Sequence, residues 1–372
     1  MNLTKLTLRD FRNYSYLELE PAPGVNLIVG DNAQGKTNLL EAIGYLGSGK
    51  SFRAQKTAEM VRFSQDFADI EGEIVSQGRN QTLRWVLFSN SRPRMLYRNG
   101  AKKRSATELA GVFPTVLFCP EDLMILKAGS APRRKLGDQT LCGLRPNYEA
   151  ALTQYQRILD QKSRILKDRL ENPAVDAILP EYNTRLCQVG ALLISYRARF
   201  YEALGKEAAV FHGQFSGGAE EFSLNYRTVS TVTDPFAPVD VICSQLQDHL
   251  QSHYHAELSS VQCLTGPHKD DFDVMLNDIS LKSYGSQGQT RTAAISLKLA
   301  QRRLMAREWG EEPILLLDDV LSELDPRRQD FVLNQIEQGQ VFITCCEPGR
   351  FTKLGKTIQI KNGNIEGFTI RD

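Results

Sequence analysis

The segment GDNAQGKT, residues 30–37, has the residue types and the spacing of a phosphate-binding loop, G-x-x-x-x-G-K-[ST]. In such a loop, backbone N–H groups and the positive end of the following helix surround a polyphosphate. The Lys36 ammonium would reach the β- and γ-phosphates, and the Thr37 hydroxyl would bind Mg²⁺. The pattern therefore predicts that the chain binds a nucleoside triphosphate.

A second segment, GYLGSGKS at residues 44–51, fits the same pattern, and the neighbouring sequence decides between the two. The first loop follows VNLIV at 25–29, an apolar run typical of a buried strand. It precedes four apolar residues at helical spacing: Leu39, Leu40, Ile43 and Leu46. The second segment begins inside that predicted helix, and no strand leads into it. We therefore assign the phosphate to the first loop and interpret the second as the end of the helix.

Two adjacent acids end another apolar run, PILLLDDV at residues 313–320. A phosphate-binding loop needs a carboxylate at the end of a second strand to hold Mg²⁺. Asp318 would hold the metal ion through water, and Asp319 would polarise the attacking water as a general base. The alternative, that the acids only cap a helix, is less favoured because the loop at 30–37 requires such a strand.

A short polar turn precedes these acids and leads into a helix. Its residues are Ser286, Gln287, Gly288 and Gln289, and the apolar stripe of the helix is Ala293, Leu297, Ala300 and Leu304. Backbone amides at a helix N-terminus attract anions, so the turn predicts a second anion site. After the acids comes LSELDPRR at residues 321–328, which contains Ser322 and Asp325.

The set and order of GDNAQGKT, SQGQ, LLLDD and SELD resemble the ABC-type ATPase heads of the SMC-like class. Finer details resemble the RecF family within that class, and the resemblance runs nearly end to end. These details are DFRNY at 10–14, LLEAIGYLGSGKSFR at 39–53, CPEDL at 119–123, TGPHKDDF at 265–272 and SQGQTRTAAISLKLA at 286–300.

The resemblance implies that two heads sandwich two ATP molecules, so that the SQGQ turn contacts the γ-phosphate held by the opposite subunit. Asp325 and Ser322 would then lie in a loop that crosses the dimer interface. Arg53 matches an arginine-bearing loop after the first helix. The expected ATP ligands are Gly30, Asp31, Asn32, Ala33, Gln34, Gly35, Lys36, Thr37, Asn38 and Arg53.

The chain also departs from the wider ABC pattern. Asp319 stands where a glutamate is common, and its side chain is one methylene shorter, which predicts slow turnover. The strand VFITCCEP at 341–348 has cysteines where a switch histidine is common. Whether Thr344, Cys345 or His268 takes part in sensing nucleotide stays open, and no glutamine-bearing loop is assigned.

The stretch between Thr37 and Ser286 is too long to be a loop of one compact domain. Within it, residues 147–170 and 179–211 have helical apolar spacing and predict a short antiparallel arm. The sequence therefore predicts an α/β fold: an ABC-type P-loop ATPase lobe from residues 1–105 and 262–372, and an inserted, largely helical lobe from residues 106–261.

Two basic clusters fall in the predicted inserted lobe. They are Lys127, Arg133, Arg134 and Lys135, and then Arg157, Lys162, Arg164, Lys167 and Arg169. Such clusters could contact nucleic-acid phosphates without reading bases, although a charge run is more often a solvated helix face. The whole chain carries a formal net charge of only +1, so any DNA contact must come from local patches of this kind.

Composition indicates a globular protein, with 41% hydrophobic and 24% charged residues. No apolar run is long enough to span a bilayer, and MNLTKLTLRDFRNY lacks the apolar core of a secretory signal. The seven cysteines show no C-x-x-C pairing, as expected of reduced thiols. Cytoplasmic residence without a membrane partner is the resulting expectation.

The resulting hypothesis is an ATP-switched DNA clamp. ATP would bring two heads together as a homodimer, the closed dimer would grip double-stranded DNA near a junction with a single-strand gap, and slow, DNA-stimulated hydrolysis would release it. The resemblance further implies that RecR and RecO act with it to load RecA on gaps coated by single-strand binding protein. The alternatives are an SMC-like structural ATPase that bridges DNA and, less favoured because of the long insertion, a transporter ATPase.

Overall fold

The computed structural model describes residues 1–109, 111–169, 171–336, 338–346 and 354–369. Strands β1 to β15 are, in chain order, Asn2–Phe11, Tyr14–Leu19, Val25–Val29, Phe67–Ser76, Arg79–Phe88, Met95–Arg98, Ala101–Lys103, Thr115–Phe118, Phe222–Arg227, Asp271–Leu276, Ile279–Ser280, Ile314–Leu317, Val341–Cys345, Lys356–Lys361 and Asn364–Thr369. Helices α1 to α9 are Lys36–Ser48, Ser130–Leu144, Pro146–Asp168, Leu179–Ser216, Val239–Ser252, Tyr254–Ser260, Leu281–Tyr284, Gln287–Trp309 and Pro326–Asn334. Over the described ranges, no helix is both long enough and apolar enough to cross a bilayer.

The chain divides into two compact units, one of Met1–Leu123 with Gln301–Asp372 and the other of Met124–Ala300. These limits differ from the predicted boundaries at 105/106 and 261/262. Strand pairing explains the difference, because β8 pairs with β12 in the first unit and β10 pairs with β9 in the second. We call them the ATPase unit and the helical unit.

A six-stranded sheet of the ATPase unit has the order β15-β14-β3-β13-β12-β8. From β14 to β8 the neighbouring strands are parallel. Strands β12 and β13 are buried along their whole length, as expected for the centre of a parallel sheet covered on both faces. Sheet order differs from chain order: β13 lies between β3 and β12, so the ends of these three strands meet at one edge.

Helix α1 packs into the core of the ATPase unit. The stripe that its spacing predicts, Leu39, Leu40, Ile43 and Leu46, is fully buried. The same core contains residues of the antiparallel sheet β2-β1-β4-β5-β6-β7, including Leu6 and Ile70, and of the parallel sheet, including Leu316 and Phe342. Gly47 allows the closest approach, since a Cβ there would lie 1.9 Å from the carbonyl oxygen of Phe113.

The helical unit contains the predicted antiparallel pair of helices, α3 with 23 residues and α4 with 38. Near the start of α3, the Tyr148 hydroxyl accepts a hydrogen bond of 3.0 Å from the Nε of Arg197, in the middle of α4. At the other end of α3, Leu166 shares a small apolar cluster with Leu179, the first residue of α4. A three-stranded sheet, β11-β10-β9, completes the unit.

Two members of the predicted basic clusters are buried. Arg133 is 1% exposed and forms a bidentate ion pair with Asp271. Lys162 is 1% exposed and pairs with Glu257, itself 1% exposed. The prediction that these two side chains could contact phosphates is therefore wrong, because burying a charge requires an internal partner and removes it from solvent.

The remaining members differ in how well they can reach solvent. Lys135, Arg157, Arg164 and Lys167 are exposed. Arg169 pairs with Asp176, Arg134 donates to the Asp270 carbonyl at 2.8 Å, and the half-buried Lys127 donates to the Lys282 carbonyl at 3.2 Å. Only the exposed members keep the expected role as phosphate contacts.

The buried ion pair of Lys162 and Glu257 predicts that mutations at two nearby positions of α3 differ greatly in their effect on stability. Lys162→Met should lower the free energy of unfolding of the helical unit by about 3–5 kcal/mol, because the Glu257 carboxylate stays buried without its charged partner. Arg164→Met removes an exposed charge two positions away and should change it by less than about 0.5 kcal/mol. Urea unfolding followed by circular dichroism measures both. Equal stabilities of the two variants would contradict the assignment.

Candidate functional site

The loop predicted to bind phosphate joins β3 to α1, as the strand–loop–helix interpretation requires. β3 ends at Val29 and α1 begins at Lys36. The residue that caps α1, Gly35, has φ 118°, and no side chain caps the helix. The first N–H groups of α1 therefore lack a side-chain acceptor and can face an anion.

Both glycines of the loop are required by close contacts. A Cβ at Gly30 would lie 2.3 Å from the carbonyl oxygen of Ile360. At Gly35, a Cβ would lie 2.7 Å from the Asn13 Nδ2, and its φ lies in a region that favours glycine. The shape of the loop thus depends on β14 and on the turn between β1 and β2.

Four polar contacts hold the loop from outside. Tyr14 donates its hydroxyl to the Gly35 carbonyl at 2.9 Å, and Asn13 Nδ2 donates to the Gln34 carbonyl at 2.9 Å. From the turn between β14 and β15, Asn362 N–H donates to Gln34 Oε1 at 2.6 Å and Gly363 N–H donates to the Gln34 carbonyl at 3.1 Å. The sequence pattern assigns no role to these four residues. Asn13 and Tyr14 fall in the DFRNY motif, whereas no motif marks Asn362 or Gly363.

Lys36 is almost buried, with 4% of its surface exposed. Its Nζ donates to the carbonyls of Gly30 at 2.8 Å and Asp31 at 3.0 Å, and lies 3.4 Å from the Cys346 sulfur. The thiol of Cys346 in turn donates to Asn32 Oδ1 at 2.9 Å. The ammonium therefore lies over the loop, where polyphosphate would bind.

The acids that end β12 lie beside the phosphate loop. Thr37 Oγ1 donates to Asp318 Oδ1 at 2.9 Å, although the two residues are 281 positions apart in the chain. A second hydroxyl, that of Thr344 in β13, donates to the same oxygen at 2.9 Å. Asp318 is 7% exposed, and burial raises its pKa above the usual value while the two hydroxyl donors oppose that change.

The donor set fits Mg²⁺. This ion is usually held by one or two carboxylates together with substrate phosphates and water, not by a cage of protein ligands. Thr37 and Asp318 supply two hard oxygen donors at hydrogen-bond distance. In the described part of the chain, no group of three or more His, Cys, Asp or Glu side chains could hold a metal ion by itself. Thr37 and Asp318 are the residues that would hold it.

The second glycine-rich match is the end of α1. Gly44 and Gly47 lie inside the helix, and Gly49 caps it with φ 59° and an N–H bond to the Tyr45 carbonyl. This confirms the prediction that the stretch is a helix end, and Lys50 is exposed beyond it.

Arg53 follows this exit and is linked to the phosphate loop by a chain of side chains. Its Nη1 donates to Asn38 Oδ1 at 3.0 Å, and Asn38 Nδ2 donates to Asn13 Oδ1 at 2.8 Å. Ser51 Oγ accepts from the Arg53 N–H at 2.9 Å and also bonds to the buried carboxylate of Glu41. The position of Arg53 therefore depends on a charge buried in α1.

The SQGQ turn belongs to the helical unit and caps its own helix. Ser286 N–H donates to Gln289 Oε1 at 3.1 Å and Gln289 N–H donates to Ser286 Oγ at 3.2 Å, which is a reciprocal capping box. Ser286 and Gln287 are exposed, and Gly288 is half-buried. The turn thus lies on the surface of its unit.

The other predicted residues take local structural contacts. Ser322 donates its hydroxyl to the Asp319 carbonyl at 2.6 Å, and Asp325 caps α9 by accepting from the Arg328 N–H at 3.1 Å; both are exposed. His268, in the helical unit, contacts the Tyr155 hydroxyl and the Cys263 carbonyl, and burial lowers its pKa to about 4. Residues 347 and 348 of the strand VFITCCEP lie outside the described residues.

Comparison with known proteins gives matches along nearly the whole chain. A family model described as the RecF/RecN/SMC N terminal domain matches residues 2–366. The DNA replication and repair protein RecF of Desulforamulus reducens is 38% identical over 346 residues, which are 92% of each chain. That of Bacillus cereus is 36% identical over 372 residues, 98% of each chain.

Solved structures extend this similarity to three dimensions. The recombination mediator protein RecF-ATPrS in the RecFOR pathway aligns with a TM-score of 0.92 and 33% identity, over 98% of this chain and 97% of that one. An Smc head domain derived from Pyrococcus furiosus aligns with a TM-score of 0.57 at 15% identity, over 99% of this chain and 96% of that one. This second similarity is one of fold alone. The predicted fold, an α/β ABC-type ATPase lobe with a helical insertion, is confirmed.

The two loop matches can be separated by one pair of variants. Lys36→Ala should abolish ATP binding, because it removes the ammonium over the loop. Lys50→Ala removes the lysine of the second match and should leave the ATP affinity within about twofold of the parent. Titration with a fluorescent ATP analogue measures both. Retained affinity in Lys36→Ala would remove the loop at 30–37 from the nucleotide site.

Proposed function

The chain belongs to the RecF family of ATP-binding, SMC-like DNA replication and repair proteins, and we propose that it acts as an ATP-switched clamp on DNA. The observation that carries the proposal is the hydrogen bond between Thr37, at the start of α1, and Asp318, directly after β12. Two polar groups from opposite ends of the chain converge there on a loop with open helix amides. Such convergence is what Mg²⁺–ATP requires.

In the proposed reaction, the loop amides and Lys36 bind the β- and γ-phosphates and orient them for attack by water. Mg²⁺, held by Thr37 and through water by Asp318, would neutralise charge on the phosphates. Asp319 would accept the proton of the attacking water. Because its carboxylate is one methylene shorter than that of glutamate, we expect it to hold water less favourably and turnover to be slow.

Dimerisation would be the output of ATP binding. The surface position of Ser286 and Gln287 suits a contact with the γ-phosphate held by a second copy, since the capping box uses the Ser286 hydroxyl only as an acceptor. Asp325 and Ser322, exposed after β12, would contribute to the same interface. Hydrolysis removes the shared γ-phosphate and would release the pair.

DNA would be held through phosphates. Arg157, Arg164 and Lys167 are exposed on α3, and Lys135 is exposed on α2. Contacts of this type are independent of base sequence and strongly salt-dependent. We further propose cytoplasmic residence and cooperation with RecR and RecO in loading RecA at gaps, as the RecFOR pathway of the similar solved protein suggests.

An SMC-like structural ATPase that bridges DNA is the second candidate, because the heads share a fold. The helices of the insertion, with 23 and 38 residues, argue against a long coiled-coil rod. Indifference to single-strand junctions in DNA binding would favour the bridging ATPase.

Ser286→Arg tests the contact across subunits. The variant should bind ATP with nearly unchanged affinity but should not dimerise with ATP, because a long cation would occupy the surface meant for the second copy's phosphate. Ser260→Arg adds the same charge to an exposed serine of α6 and should dimerise like the parent. Sizing by light scattering with and without ATP distinguishes the two. A normal dimer of Ser286→Arg would show that the turn does not act in trans.

DNA binding tests the clamp itself. The protein should bind a gapped duplex more tightly than plain duplex or single strand, and only with ATP and Mg²⁺. The double variant Arg157→Ala/Arg164→Ala should weaken binding and reduce the slope of log K against log salt by about 1 for each contact removed. Lys206→Ala, an exposed lysine of α4 that pairs with Glu202, is the control. Binding that ignores nucleotide would contradict the switch.

A further inference from the structure

We propose that Thr344 is a positioning residue for ATP hydrolysis, whose hydroxyl holds the Asp318 carboxylate and the Asp319 backbone together. The inference rests on the proposed ATPase function and deepens it. It also separates Thr344 from a sensor of the γ-phosphate, because its hydrogen bonds are made to the protein's own acids.

The topology puts this hydroxyl in an apolar setting. Thr344 is in β13, the strand between the phosphate-loop strand β3 and the acid-bearing strand β12, and it pairs with Ile28. It is 1% exposed in a strand that is otherwise Val, Phe, Ile and Cys. Burying a hydroxyl among such neighbours is unfavourable unless its hydrogen bonds are made. The identity of its partners is therefore the informative observation.

The Thr344 hydroxyl is both a hydrogen-bond donor and a hydrogen-bond acceptor, and it contacts one acid in each way. Thr344 Oγ1 donates to Asp318 Oδ1 at 2.9 Å and accepts from the Asp319 N–H at 2.8 Å. The other acceptor in reach, the Leu317 carbonyl, is 3.5 Å away and too distant to compete for the single proton. One atom thus connects the side chain of one acid to the backbone of the next.

For Asp318, the consequence is a fixed orientation. Thr37 and Thr344 both donate to Oδ1, and no hydrogen bond to Oδ2 is recorded among the described residues. A carboxylate pinned at one oxygen presents the other in a defined direction. Thr37 is also the expected ligand of Mg²⁺, so its hydroxyl has to serve the ion and the carboxylate. Thr344 has no such second task and can hold Asp318 throughout the cycle.

For Asp319, the consequence is a strained backbone that is held in place. Asp319 has φ 50° and ψ 8°, a left-handed conformation that is unfavourable for residues other than glycine. Its N–H is the group that Thr344 accepts. This strained residue starts the short 3-10 turn Val320–Glu323 and carries the carboxylate expected to act as the base. Loss of the hydroxyl would remove one hydrogen bond from this N–H and one from the Asp318 carboxylate, which would then be held by Thr37 alone among the described residues.

The test compares Thr344→Val, which keeps the shape but lacks the hydroxyl, with Thr344→Ser, which restores it. Thr140→Val is the matched control, because Thr140 is also 1% exposed and its hydroxyl donates to a carbonyl of its own helix α2. Thr344→Cys is a second variant that keeps a small polar side chain but offers only a weak donor. Far-UV circular dichroism of nucleotide-free protein checks that each variant folds.

Two quantities are measured for each protein: the affinity for a fluorescent ATP analogue, in EDTA and across Mg²⁺ concentrations, and the steady-state kcat and KM for ATP. In EDTA, Thr344→Val should bind the analogue like the parent, since the loop and Lys36 are intact. The Mg²⁺ concentration that gives half of the maximal change in analogue affinity should rise, and kcat should fall. We expect each to change by about 10- to 100-fold, the usual effect of mutating a residue that hydrogen-bonds to a metal ligand. KM should change little, Thr344→Ser should recover both values, and Thr344→Cys should fall between.

Other outcomes overturn the inference. Parent-like kcat and Mg²⁺ dependence in Thr344→Val, even with a lower melting temperature, would reduce Thr344 to a packing residue. Failure of Thr344→Ser to recover activity would show that the hydroxyl is not the relevant group. If Thr344→Val does not fold, a fully active Thr344→Cys overturns the inference in the same way. Absence of ATP binding by the parent protein would instead defeat the proposed function, which the parent's own titration reveals before any variant is compared.

Discussion

The hydrogen bond from Thr37 to Asp318 is the interaction on which the candidate site depends, because it joins the two ends of the chain at one sheet edge. It can form only if β3 and β12 end at the same level, and both strands pair with β13 in parallel register. Parallel neighbours require crossover connections, and the helical unit lies within the chain between these strands. The long insertion in the chain therefore does not prevent β3 and β12 from pairing with the same strand, and the phosphate loop and the acids can belong to one nucleotide site.

Rigidity at this edge comes from residues that do not belong to the phosphate-loop motif. Asn13 and Tyr14 hold the loop from the turn after β1, and Asn362 with Gly363 holds it from the hairpin β14–β15. A glycine-rich loop loses much conformational entropy on ordering, so external hydrogen bonds that pre-organise it favour ligand binding. Thr344 plays the corresponding part for the acids that end β12.

Charge has different uses in the two units. In the ATPase unit, the buried Glu41 is neutralised by Arg12 through two hydrogen bonds of 2.8 Å and helps to hold the loop that carries Arg53. In the helical unit, Arg133 and Lys162 are used inside the protein, whereas Arg157, Arg164 and Lys167 face solvent. The basic cluster of α3 is thus divided by helix geometry, because successive residues point to different faces.

The sequence by itself determined the features that are local in the chain. Examples are the strand–loop–helix at 25–46, the paired acids after β12, the capping turn at 286–289 and the antiparallel α3 and α4, all of which follow from spacing and residue type. Only the tertiary structure decided the partners: that β13 inserts between β3 and β12, that Asn13 reaches the loop, and that Lys162 turns inward to Glu257. The physical reason is that periodicity reports which face of an element is apolar, whereas packing selects, among residues distant in the chain, the one that meets it.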